Sequence, residues 1–336
     1  MTDRNALVAS LPTGPRSPVA GTPQRRPGSV RRTTSIDEGW DDFGRPRHLR
    51  AAGRDLLTRR DGTVAVLDSA AVELLVDGTG RVAEVTTDPP LPRLDGLVGA
   101  EVRSGFRACV AGLVPDHHVR HSVLAQLLDD VPLIAIVSSY GLTREHPEWN
   151  IPPEAAERLR DLCAGWEDGA TMIGALDRTG TFPIPVGPPA PDLLDGTDPE
   201  AWHDPGARRR RSVRRVRRSD LWPEESGLRL QVYFRDSHLG ADGPEDVLHE
   251  YTLDAELVPG SEGGSARFAS VAVTAHTLPW PECPAATASA QRLLGRTTSE
   301  VDDLVRGSFV GTSTCTHLND LLRSTRGVDG LAGALA

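Results

Sequence analysis

The feature that most constrains the fold is a change of hydrophobic period that occurs twice along the chain. From Arg31 to about Thr87, Val64, Val66, Val72, Leu74, Val76, Val82 and Val85 fall in short runs cut by Asp61-Gly62 and Asp77-Gly78. Such dipeptides between alternating segments are hairpin signals. Asp88-Pro89-Pro90 closes this set, and helical spacing follows over Leu97 to Leu113 and His121 to Val131. In the second of these, Leu124, Leu127, Leu128 and Val131 recur at i, i+3, i+4 and i+7, as one face of a helix requires. Leu133 to Tyr140 is apolar and fits a buried strand or a helix end. Further on, Leu228, Leu230, Val232 and Phe234 alternate with Arg229, Gln231, Tyr233 and Arg235. A turn at Asp242-Gly243 leads to strands over Val247 to Leu257 and Arg267 to Leu278. Helical segments then follow over Ala285 to Leu294, Glu300 to Val310 and beyond Cys315. A period of two demands a half-buried pleated sheet and a period of 3.6 a helix with one buried stripe. The expected class is α+β, with mostly antiparallel sheets packed by helices.

The two rounds also share landmarks in the same order. Arg31-Arg32 corresponds to Arg214-Arg215, Leu91-Pro92 to Leu278-Pro279, Leu97-Val98-Gly99 to Leu293-Leu294-Gly295, and Leu124, Leu127, Leu128 to Leu318, Leu321, Leu322. This predicts an internal duplication, two related β-then-α halves about a pseudo-twofold axis. In that register Cys315 falls opposite His121 and His317 opposite Val123. The expected organisation is a disordered tail over residues 1–30, a first half over 31–140, a helix plus Pro/Gly/Arg-rich connector over 141–212, and a second half over 213–336. Within the third segment, Pro152-Pro153 and Glu154 suit the start of a helix over 152–164, and Gly165 its end.

The 336 residues include 33 glycines and 27 prolines, with only 4% aromatics, and carry a net charge of −10. The negative balance argues against general nucleic-acid affinity. The run Arg208 to Arg218 goes the other way, but it lacks interleaved aromatics and reads as a solvated linker pairing with acidic surface. No apolar run approaches the roughly 20 residues that span a bilayer, and no signal-peptide pattern opens the chain. Cys109, Cys163, Cys283 and Cys315 are widely spaced without a CxxC. Together these predict a cytoplasmic protein with free thiols and no membrane contact. Walker, GxGxxG, GxSxG and HExxH patterns are absent, which removes support for nucleotide-dependent, serine-hydrolase and zincin mechanisms.

Cys315-Thr316-His317-Leu318, His249-Glu250-Tyr251, Leu278 to Cys283 and Phe234-Arg235-Asp236-Ser237 together resemble a bacterial family catalogued as domain of unknown function 2889. Arg31 to Asp37, Ser104-Gly105-Phe106-Arg107 and Leu127 to Pro132 are similar to its actinobacterial members. The resemblance covers nearly the whole chain after the tail and implies no activity.

Candidate chemistry gathers in the second half. On a strand over Val247 to Leu257, His249 and Tyr251 share the apolar face, either as an acid/base pair on an inner pocket or as hydrogen-bonded core residues. Cys315 and His317 precede a helix. Free backbone N–H groups there could lower a thiol pKa and suit a nucleophile, whereas the bland alternative is a buried small residue beside a threonine cap. Asp236, with Arg235, could hold a substrate carboxylate, orient His249 or form a surface ion pair. No cofactor is expected. The alternative is zinc on Cys283, Cys315, His317 and His249, which needs tertiary convergence. His117, His118 and His121 read as loop or helix-face residues.

The function expected from these residues is an enzyme acting on a small, largely apolar aromatic or acyl molecule. It would use cofactor-free acid/base or thiol chemistry of a lyase, isomerase or hydrolase type. A non-catalytic binding or assembly protein and a metal-dependent enzyme are the alternatives. Oligomeric state is not legible.

Overall fold

The structure, a computed structural model, describes residues 4–41, 46–146, 153–193, 198–261 and 264–335. A short helix α1 (Arg4–Ala9) and an extended segment lead into β1 (Ser29–Trp40), β2 (Arg47–Thr58), β3 (Val64–Val76) and β4 (Val82–Asp88). Helices α2 (Phe106–Leu113), α3 (Pro115–Arg120), α4 (Val123–Glu145), α5 (Pro153–Glu157) and α6 (Thr171–Thr179) follow. The chain then returns to strands β5 (Ser212–Glu224), β6 (Gly227–Leu239), β7 (Asp246–Val258) and β8 (Arg267–Thr277). It closes with a tight helix over Cys283–Leu293, then α7 (Val301–Ser308), α8 (Thr316–Ser324) and α9 (Val328–Ala332).

The strands form one sheet in the order β4-β3-β2-β1-β5-β6-β7-β8, and each neighbouring pair is antiparallel. It consists of two four-stranded meanders joined where β1 pairs with β5, from Val30 opposite Leu221 to Gly39 opposite Ser212. The class is therefore α+β, with a single sheet shared by both meanders.

Helices cover one face. α4 packs across β1, β2, β3 and β5, and α8 packs on β6 and β7. The apolar stripe on each strand meets them in two adjoining cores, one of β1–β3 with α2–α4 and one of β5–β8 with the C-terminal helices. The other face is covered by chain without regular structure. Arg31 donates to Pro23 and Ala201 carbonyls, His203 bonds Thr33 and Ser35, and Arg235 reaches the Pro191 and Val19 carbonyls.

Several expectations are corrected. Part of the anticipated disordered tail is built into the sheet edge. Leu278 N–H donates to Pro15 and Ser17 N–H to His276, and a Cβ on Gly14 would lie 2.5 Å from the Trp280 carbonyl. A Pro-rich strap with no periodicity can still be ordered when its backbone groups find partners in a distant strand. The run Arg208 to Arg218, anticipated as a solvated linker, lies largely in the central strand β5. Arg214 pairs with Asp37 at 2.6 Å, Arg217 with Asp130 at 2.9 Å, and Arg218 with Asp220 at 2.7 Å, while Arg209 stays on the surface beside Asp41. Of the two readings of Leu133 to Tyr140, the structure has the helix end, which continues α4 through Pro132. By length and composition α4 would cross a bilayer, yet 83% of its most apolar window is buried in the fold. The helix anticipated over Leu97 to Leu113 begins only at Phe106, and α5 stops at Glu157. Pro152 lies outside the described residues.

The Pro- and Gly-rich stretch before residue 193 runs against β7. Val247 N–H donates to the Pro188 carbonyl, and a Cβ on Gly187 would lie 1.8 Å from the Val247 carbonyl oxygen. Only glycine permits that approach.

Candidate functional site

Asp236 sits near the end of β6, and the pairing register with β7 slips immediately after it. Such an irregularity re-aims side chains locally. Directly opposite on β7, His249 projects from the helix-covered face, with its Nδ1 3.5 Å from Asp236 Oδ2. His317 enters from the first turn of α8. The two imidazoles stack with centroids 3.6 Å apart and planes 16° from parallel.

Behind them lies a buried charge network. Arg215 forms two 2.7 Å bonds with Asp236 and a further one with Asp320, and its guanidinium lies 4.6 Å from the Phe234 ring centre. Arg217 reaches Asp320 at 2.5 Å and Asp130 at 2.9 Å. A planar fork held by two carboxylates fixes Asp236, and through it the position of His249.

Burial alone would raise Asp236, but Arg215 opposite and the neighbouring His249 hold its carboxyl well below the usual range. Burial pushes His317 far down, and the adjacent His249 adds to this while Asp236 opposes it. His317 is therefore a neutral imidazole at neutral pH. Its Nε2, and Nδ1 of His249, are buried without a hydrogen bond of ordinary geometry. Burial raises Asp130 within the same network, with Arg217 opposing and Asp320 reinforcing the shift.

His249 and His317 form part of the wall of a cavity of about 430 Å³. Its remaining lining is predominantly apolar: Ile136 and Tyr140 from α4, Trp166, Phe182, Ile184 and Trp280 among others. Among the described residues no aspartate or glutamate lines it.

Of the residues singled out from the sequence, the structure brings together Asp236, His249 and His317. Tyr251 does not join them. It shares the face of β7 with His249 but is fully buried against Phe234, 5.7 Å between ring centres, and does not line the cavity. Burial and the nearby Cys315 and Cys283 thiols raise its phenol well above the ordinary value. Cys315 caps α8 through its backbone, with Sγ 3.8 Å from His317 Nδ1. Burial raises its thiol despite the Leu318 and His317 N–H groups that lower it, and it is not part of the cavity wall. The anticipated Cys283, Cys315, His317, His249 quartet is not gathered. Among the described residues the compact ligand-bearing group is Asp236, His249 and His317, within 4.8 Å of one another.

Arg235 and Asp236 are buried rather than a surface pair, and Arg235 bonds Glu250 at 2.8 Å. His117 bonds Ser122 at 3.0 Å, and His121 caps α3. Sequence reasoning missed Arg215, Arg217 and Asp320 as the support of the site. The signal was present in the alternation of arginines at 215 and 217, which places both on one face of a strand.

The acid response follows from the buried histidines. His203, bonded to Ser35 at 2.8 Å, is lowered to about 4 by burial and by Arg54 and Arg214. A folded-state value below that of the unfolded chain means that folding stability is full above about 6.5 and falls as pH drops toward 4. Acidification from pH 7 to 4 is expected to remove on the order of 3 kcal/mol through His203 alone, with His317 adding to the same direction. Urea unfolding of the wild type and His203→Gln across this range checks it. The variant's stability should depend less on pH.

A single antiparallel sheet with helices on one face, and an aspartate–imidazole pair of sites opening on an apolar cavity, defines an α+β protein with one sheet–helix pocket. Residues 207–329 match the family described as Protein of unknown function (DUF2889). No curated protein and no solved structure matches the chain. Asp236, His249, His317, Arg215 and Asp320 lie inside the matched stretch, while much of the cavity wall comes from residues before it.

Proposed function

We propose that this protein is an enzyme acting on a small, largely apolar molecule bound in the cavity. His249 and His317 move protons, and Asp236 orients His249 and stabilises its charged form. The carrying observation is the stacked, half-buried pair of imidazoles on the wall of a predominantly apolar pocket. A neutral His317 stacked on His249 in such a place suits general acid/base work, and lyase or isomerase chemistry fits proton transfer without a nucleophile. Hydrolysis through the Cys315 thiol loses support from its burial. The test is deuterium exchange into cavity-bound ligands in D2O, followed by NMR. Enzyme-dependent exchange at one carbon, lost in His249→Ala, supports catalysis. Ligand binding without exchange in any member of a broad library favours a binding role. Four free thiols fit a cytoplasmic setting.

A second reading is favoured by one observation, the convergence of Asp236, His249 and His317 donor atoms within 4.8 Å. Two histidines and a carboxylate suit a divalent transition metal. Rings stacked at 3.6 Å would have to part to aim two lone pairs at one ion, since Zn–N bonds are about 2.0–2.1 Å long and lie in the ring plane. Elemental analysis decides: stoichiometric zinc or iron, lost in both His317→Ala and Asp236→Asn, replaces the proton-shuttle reading.

We also propose that the two meanders descend from an internal duplication. Laying β1 on β5 exchanges the ion pairs Arg31–Asp220 and Arg214–Asp37, and places Arg32–Asp55 on Arg215–Asp236. Leu97 and Leu293 are both fully buried, and Gly99 and Gly295, both at positive φ, bond the first residues of or near β4 and β8 alike. Asp68, opposite Asp55, then stands where His249 stands opposite Asp236. Asp68 accepts the Val123 N–H at 2.9 Å, so Val123 takes the place of His317. The first half keeps the scaffold without the imidazoles.

A further inference from the structure

The charged side chains that line the cavity are Arg16 and Arg103, and the titratable ones beside them are His249 and His317. For a chain of net charge −10, a pocket whose charged lining is solely cationic is not what composition alone would give.

Arg103 precedes α2 and donates to the Ala135 carbonyl at 2.9 Å and to Ser139. Arg16, on the N-terminal strap, donates to the Val186 carbonyl at 2.8 Å. These are neutral acceptors, and among the described residues neither guanidinium makes an ion pair. Glu38, the buried carboxylate near Arg103, is engaged by Arg47 at 2.6 Å and by Ser138. Both arginines are exposed, whereas the two imidazoles are half-buried. The pocket thus combines exposed guanidinium donors, a largely apolar wall and two half-buried imidazoles.

We infer that the ligand is an amphipathic carboxylic acid. Its carboxylate meets Arg103 and Arg16, its apolar body fills the space between Trp166, Met172, Ile184 and Trp280, and its reacting position faces His249 and His317. This inference rests on the cavity being the ligand site of the proposed enzyme. A guanidinium with a free N–H edge matches a planar carboxylate with two parallel bonds. Anchoring that end fixes which atom of the body arrives at the imidazoles, so remote binding serves orientation.

The test uses full-length protein and three probes of one shape: 4-phenylbutyrate, 4-phenylbutan-1-ol and 4-phenylbutylamine. Binding is followed by tryptophan fluorescence, since Trp166 and Trp280 line the pocket, and by calorimetry at low salt. The acid should bind about tenfold more tightly than the alcohol, as one charge-assisted contact gives, and the amine most weakly. Arg103→Gln combined with Arg16→Gln should abolish the preference, bringing the acid to the affinity of the alcohol. Equal binding of acid and alcohol to the wild type, or a preference that survives the double variant, overturns the inference and leaves the cavity reading standing. Binding of none of the three overturns both.

Discussion

Replacing Asp320 with alanine is expected to lower the free energy of unfolding by about 3–5 kcal/mol, the cost of leaving buried charges without their partner. Its carboxylate bonds both Arg215 and Arg217, whose side chains are 1% exposed. Without it, two guanidiniums remain with Asp236 and Asp130 alone, and Asp130 is the carboxylate that burial drives toward its neutral form. Urea denaturation measures the loss. A fall below about 1 kcal/mol would mean that water enters from the solvent-lined hollow that Asp320 also borders and rehydrates the arginines. Asp320→Asn should be milder, since the amide oxygen still accepts a bond. Because desolvation of a buried pair is itself costly, Arg217→Met combined with Asp320→Leu should be less damaging than Asp320→Ala.

The second large effect is on chemistry. His249→Ala should reduce enzyme-dependent deuterium exchange into a bound ligand by about 10²- to 10⁴-fold, the usual contribution of a positioned acid or base. The substitution also removes the ring against which His317 stacks, so His317→Ala measured beside it separates proton transfer from stacking. If His317 only supports the ring of its neighbour, its removal should cost far less than removal of His249. Thermal unfolding and binding of 4-phenylbutan-1-ol serve as controls that fold and pocket persist. Exchange that is unchanged in both variants would remove the imidazoles from the mechanism.

The strands were legible because alternation at Leu228 to Arg235 and turn pairs such as Asp77-Gly78 are local signals. The triad was partly legible for the same reason. His249 on the apolar face of β7 had to meet the helical layer, and His317 opened a helix in that layer. Tyr251 was misread because alternation assigns a face but not a depth; two residues further along the strand, the same face meets the thiols and Phe234 instead of the cavity. For Cys315 the sequence left two readings open, because a helix N-terminus lowers a thiol only where burial does not outweigh it, and burial depends on tertiary packing. The arginines of β5 were the least legible. Their carboxylates, Asp37, Asp130, Asp236 and Asp320, come from four separate elements, and no window of sequence around residues 208–218 contains them. The strap at residues 14–17 escaped for a related reason, since its partners lie in and just after β8.

The place of β1 and β5 at the centre of the sheet separates the unit of inheritance from the unit of folding. The matched stretch 207–329 contains the imidazoles and their aspartate, and can be recognised wherever it is carried. Cut out alone, it would present β5 as an unpaired edge from Ser212 to Leu221, with arginines whose counterions Asp37 and Asp130 remained on the discarded part. Such an edge is a template for adventitious strand pairing. Whatever chemistry the stretch encodes is therefore conditional on a neighbour that supplies no imidazole to it, and a transplant of this site into another scaffold would have to bring that neighbour along.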